Sequence, residues 1–257
     1  MNKAILIVSF GTTSEEAIGS SILPLEQDAA AALSDWTVLR CFTSGMVISR
    51  LARKGIIVPS LTETLTKLVR EGILQVVVLP TLLADGGEYQ KILDICGSFR
   101  PSFACLQVGK PLLSDAADFD TVADFLQSAF PLQEKEVLVL MGHGVTNSDN
   151  SELRTLGNLL RQRDSRFFLA ALNGEPDFSR ILQEILKTNC RRVILAPLML
   201  TAGTHAVQHL SGPEEGSWLN RCKAAGLDVQ CRLMGLGEAP EIRRLYLRHL
   251  SDCFTEK

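Results

Sequence analysis

Two segments of this chain occur twice, in the same order, and that repetition limits the folds open to it. AILIVSFGTT (4–13) resembles VLVLMGHGVT (137–146), with Gly11 falling on Gly144. LPTLLADGGEY (79–89) resembles APLMLTAGTHA (196–206): aligning Pro80 on Pro197 puts Gly86 on Gly203 and Glu88 on His205. In each copy an apolar run ends at a turn of small residues, as a buried parallel strand does when it delivers its C-terminal end to a crevice. Open α/β sheets bind their ligands at such crevices. The repetition therefore predicts an internal duplication of two similar α/β lobes, each with a parallel sheet. The lobes are expected to face each other across a cleft that collects Phe10, Glu88, His143 and His205.

Between the repeats, helical and strand patterns alternate. Residues 61, 65, 68 and 69 are apolar at helical spacing and Gly72 follows them, so 60–72 reads as a helix. The acidic start of EEAIGSSILPLEQDAAAALS (15–34) suits one helix after the first glycine turn. FPLQE (130–134) is the expected boundary, giving lobes of 1–130 and 131–257.

Composition excludes several classes. A net charge of −3 gives no general attraction to nucleic acid or to anionic membranes. Seven single cysteines without CxxC spacing point to reduced, mostly buried thiols. MNKAILIVSFG lacks a small-residue cleavage site, and no stretch approaches the ~20 apolar residues of a membrane span, so a cytoplasmic protein is expected. The turn after the first strand has no GxxxxGK[ST] lysine, which argues against a bound nucleotide.

Two of the four histidines, His143 and His205, sit at glycine turns after apolar strands. There an imidazole can act as a base or a metal ligand near neutral pH. Glu88 and Glu175 are the carboxylates nearest such turns, although each is also good helix capping. His209, four residues beyond His205 at the spacing of some zinc sites but without the usual intervening glutamate, reads as a surface residue or one that supports the site from behind, and His249 as a solvated residue of the last helix. Ser44 and Gly45 open a helix whose free N–H groups favour an anion, and Arg50, Arg53 and Lys54 follow on it.

At VSFGT (8–12), FTSGM (42–46), GGEYQKI (86–92), GKPLLS (109–114), MGHG (141–144), PLMLTAGTHA (197–206) and GLGEAP (235–240) the sequence resembles the anaerobic cobalt chelatases that act on sirohydrochlorin in cobalamin biosynthesis. The resemblance implies an α/β, chelatase-like fold of two flavodoxin-like lobes and ATP-independent insertion of Co²⁺, a substrate rather than a resident cofactor, into a tetrapyrrole. It implies His143 and His205 as metal ligands that also help remove pyrrole protons, with Glu88 beside them. Phe10, Gly11, Thr12, Ser44, Gly45 and Arg50 are the expected substrate-binding residues. The family's metal-site glutamate before the Pro176 turn falls on Asn173, with Glu175 two residues later, so both enter the expected metal set. The family's upstream histidine falls on Leu82. The alternatives are a chelatase for Ni²⁺ or Fe²⁺ and a non-catalytic tetrapyrrole- or metal-binding protein, and the sequence leaves room for a homo-oligomer.

Overall fold

The computed structural model describes residues 2–145 and 150–255, with the backbone but not the side chains of residues 205 and 255. In chain order the elements are β1 (Lys3–Ser9), α1 (Glu15–Ala17), a π-helical turn (Ile18–Ile22), α2 (Leu23–Ala32), β2 (Thr37–Phe42), α3 (Gly45–Ala52), α4 (Leu61–Arg70), β3 (Gln75–Pro80), α5 (Gly87–Phe99) and β4 (Cys105–Val108). Then follow α6 (Ala116–Ala129), β5 (Glu136–Gly144), α7 (Ser151–Arg163), β6 (Phe167–Asn173), α8 (Phe178–Ile185), β7 (Arg192–Pro197), α9 (Thr204–Ser211), α10 (Trp218–Ala224), β8 (Asp228–Cys231) and α11 (Pro240–Thr255).

The strands form two parallel four-stranded sheets, ordered β2-β1-β3-β4 and β6-β5-β7-β8. Both have the order of a doubly wound, flavodoxin-like sheet. The two sheets repeat each other down to individual bonds. Val8 lies opposite Pro80 and Met141 opposite Pro197. Thr81 N donates to Val8 O and Leu198 N to Met141 O, each at 2.8 Å. The duplication read from the sequence is present in the backbone.

Apolar runs become strands here because helices cover both faces. Ala4 to Val8 are all solvent-excluded. On one face Ala4, Leu6 and Val8 pack with Leu61, Leu65 and Leu68 of α4 and with Ile92 and Cys96 of α5. In the second sheet Val137, Val139 and Met141 pack with Phe178, Ile181 and Ile185 of α8 and Trp218 of α10. Each large side chain so buried contributes about 1.5–3 kcal/mol. The α4 start is fixed by a reciprocal cap: Ser60 Oγ accepts from Glu63 N at 3.2 Å, and Ser60 N donates to Glu63 Oε2 at 2.8 Å.

Three expectations change. The segment 15–34 is not one helix. Pro24 has no N–H to give the preceding turn, and the chain widens into the π-helical Ile18–Ile22 before resuming as α2. The compact units are Met1–Ser114 with Gly237–Lys257, and Asp115–Leu236, rather than a division at 130. The helix after β4 thus belongs to the second unit and the helix after β8 to the first. Arg163 of α7 holds Asp120 and Asp124 of α6. Arg243 of α11 holds Asp28 of α2 at 2.6 Å and the Gly237 and Glu238 carbonyls. Third, His249 is buried, not solvated, on a stripe formed by Ile242, Leu245, Tyr246, Leu250 and Cys253. The stripe has the i, i+3, i+4, i+7 spacing of a helix face.

Candidate active site

Each unit brings loops together at the C-terminal ends of its strands. In the first, β1 runs out at Ser9, whose Oγ is 2.8 Å from Thr81 Oγ1 beyond β3. Phe10 follows, half exposed at 46%, and its carbonyl accepts from Ser44 N at 3.2 Å. Gly11 has φ +101°, and a Cβ there would lie 2.6 Å from the Phe42 ring at the end of β2. Both facts require glycine.

Thr12, expected to meet substrate, is buried, and its Oγ1 accepts from Ser14 N at 3.2 Å. Ser44 caps α3 by accepting from Val47 N at 3.4 Å, and Gly45 is exposed at the helix start. Arg50 is exposed in the last turn of α3, about 8 Å along the axis from Gly45. Glu88 is the second residue of α5, where the helix macrodipole favours a negative charge. Leu82, at the position of the family's upstream histidine, packs on the core, and its carbonyl accepts from Leu112 N at 2.9 Å.

In the second unit β5 ends in Gly142-His143-Gly144. A Cβ at Gly142 would meet Leu153 of α7 at 2.7 Å, and one at Gly144 (φ +63°) would run into the Asn173 carbonyl oxygen. The His143 side chain is exposed, with Nδ1 2.9 Å from the Gly144 carbonyl oxygen. A carbonyl only accepts, so in the neutral ring Nδ1 carries the proton and Nε2 the lone pair. That is the tautomer a metal ligand or base acting through Nε2 needs.

Asn173 ends β6 and donates from Nδ2 to the His143 carbonyl at 3.2 Å, which leaves Oδ1 as its acceptor atom. Glu175, in the turn with a cis bond to Pro176, accepts from Asp177 N at 3.0 Å and lies 3.5 Å from Arg180 Nη1. Its carboxylate is thus engaged at the start of α8. His205 is the second residue of α9, whose cap, Gly203, is extended; its side chain lies outside the described residues. His209 is exposed in the last turn of the same helix.

Sequence reading missed Asn150. This residue is buried with φ +47°; its Oδ1 accepts from Val145 N at 2.8 Å, and its Nδ2 donates to the carbonyls of Asn173 at 3.1 Å and Glu175 at 2.7 Å. It stitches the His143 turn to the Asn173–Glu175 turn. The only signal was an asparagine just before a predicted helix, a residue type that tolerates the left-handed region.

Among the described residues no three His, Cys, Asp or Glu side chains come together to hold a metal. The thiols are poor ligands where they lie: all seven are free, and burial pushes Cys41, Cys96 and Cys222 up to about 12. No helix among these residues is long and apolar enough to cross a membrane.

The family model described as Cobalt chelatase (CbiK) matches residues 3–255. The chain belongs to this cobalt chelatase family. A sirohydrochlorin cobaltochelatase of Salmonella typhimurium is 33% identical over 257 residues, covering 99% of this chain and 97% of the relative. The sirohydrochlorin cobaltochelatase CbiKC of Nitratidesulfovibrio vulgaris is 28% identical over 97% of this chain and 89% of its own. Among solved structures, SirB from Bacillus subtilis with Fe³⁺ is similar with a TM-score of 0.67 and 18% identity, covering 98% of this chain and 96% of that one.

Proposed function

We propose that this cobalt chelatase inserts Co²⁺ into sirohydrochlorin, or a close tetrapyrrole, without nucleotide hydrolysis, in the cytoplasm. The observation that carries the reading is the family match over residues 3–255, which takes in both glycine-turn strand ends. The macrocycle loses two pyrrole protons for each Co²⁺ that enters, so the protein must hold the incoming ion and accept protons at the same place. A neutral imidazole does both in turn. His143 Nε2 and the imidazole of His205 take these roles, with Glu88 as the carboxylate that offsets the charge of the entering cation. Asn173 Oδ1 is a neutral oxygen where the family carries a carboxylate.

Phe10, with its exposed ring, suits the apolar face of the macrocycle. Gly11 shapes the turn that carries it. Ser44 and Gly45, at the start of α3, suit one of the substrate's carboxylates, and Arg50 another. Thr12 shapes the loop through its bond to Ser14. The turn after β1 lacks the GxxxxGK[ST] lysine of a nucleotide-binding loop, which supports a reaction without nucleotide.

The test is an insertion assay that follows sirohydrochlorin absorbance with Co²⁺, Ni²⁺ and Fe²⁺ in turn. Co²⁺ insertion should run well above the spontaneous rate and exceed that for the other two ions. Equal rates with and without protein for all three metals would leave a tetrapyrrole-binding protein instead.

A further inference from the structure

Lys91 is one turn beyond Glu88 on α5, and no role proposed above uses it. Its Nζ donates to the Thr43 carbonyl oxygen at 3.0 Å and lies 3.9 Å from Glu88 Oε2. The first contact anchors the ammonium to the chain just after β2. The second is too long for a hydrogen bond and too short to be electrostatically indifferent. Glu88 Oε2 is shielded from solvent and receives no hydrogen bond among the described residues, although the side chain as a whole is 39% exposed.

We infer that Lys91 is a positioning residue: anchored by the Thr43 carbonyl, its ammonium keeps the Glu88 carboxylate aimed without tying up its oxygens. A bidentate arginine pair would occupy both oxygens. A point charge held 3.9 Å from the shielded Oε2 leaves the other oxygen, Oε1, available to a cation or a proton. This rests on the reading of Glu88 given above.

Co²⁺ insertion by the full chain tests it, with kcat and the KM for sirohydrochlorin measured separately. Glu88→Gln should lower kcat about 30-fold. Lys91→Met should lower kcat about 10-fold with KM within twofold, and the double variant should be no slower than Glu88→Gln alone, because both changes remove one device. Lys91→Gln keeps a donor for the Thr43 carbonyl but no charge, and should be as slow as Lys91→Met. If the two losses multiply in the double variant, or if Lys91→Gln restores the rate, Lys91 acts through the backbone and this inference is overturned while Glu88 keeps its role. If Glu88→Gln is as fast as the parent, the role of Glu88 falls and the inference falls with it.

Discussion

The two strand-end sites share one frame and differ in what it presents. In the first unit Pro80 is followed seven residues later by the start of α5 at Gly87; in the second Pro197 is followed at the same spacing by the start of α9 at Thr204. Glu88 and His205 are therefore the second residues of corresponding helices. Gly11 and Gly144 both take positive φ where the last residue of the neighbouring strand presses on them. On this frame the first unit offers hydroxyls, a carboxylate and an ammonium, and the second an imidazole at the strand end surrounded by amides. A duplicated backbone fixes where side chains stand. Their chemistry then diverges at little cost, because strand-end residues carry few of the core contacts.

The frame itself should be the most sensitive to change. Gly144→Ala forces an L residue into φ +63° against the Asn173 carbonyl oxygen, which is backbone and cannot swing away. It should cost about 3 kcal/mol or more. Gly11→Ala meets a ring and should cost less, though still about 2 kcal/mol. Thermal melts of the two variants rank them, and a Gly144→Ala protein as stable as Gly11→Ala would break the comparison.

Next in size come the divergent side chains. His143→Ala and His205→Ala should each slow Co²⁺ insertion by about 10²-fold while leaving the melting temperature within a few degrees. His209→Ala should stay within about threefold, which separates the two α9 histidines. An insertion rate near that of the parent in His143→Ala would remove this residue from the mechanism.

Asn150 has no counterpart among the described bonds of the first unit's turn. Asn150→Ala deletes three hydrogen bonds and leaves the partly buried carbonyls of Asn173 and Glu175 short of a donor, at about 2 kcal/mol. Its insertion rate should also fall, because the His143 turn loses its tie to β6. Denaturant titration beside the insertion assay measures both, and unchanged stability would mean that the stitch is redundant.

The smallest effect is expected at Glu175. Its oxygens already serve Asp177 N and Arg180, so Glu175→Gln should change Co²⁺ affinity by less than about twofold and stability by about 0.5 kcal/mol. Asn173→Glu is the sharper probe. A charged oxygen at the end of β6 should tighten Co²⁺ binding, read by calorimetry, with insertion equal or faster. Weaker binding by a folded Asn173→Glu protein would show that this strand end serves something other than a divalent cation.

Sequence alone determined the strands, the glycine turns and the pairing of Glu88 with His205, because these rest on local signals: runs that are apolar on both faces, and turns only glycine can make. It also marked His143, a rare residue type at such a turn. Tertiary structure decided what periodicity does not encode, namely what an amphipathic face meets. Nothing in the spacing of α6 and α11 says that α6 joins the second unit and α11 returns to the first. The period of α11 did put His249 on its buried stripe, but a histidine reads as polar until a partner surface covers it. Asn150 and Lys91 act on atoms 23–25 and 48 residues away, through backbone carbonyls common to every residue type. A carbonyl leaves no mark in a sequence, so those ties become visible only once the chain has folded.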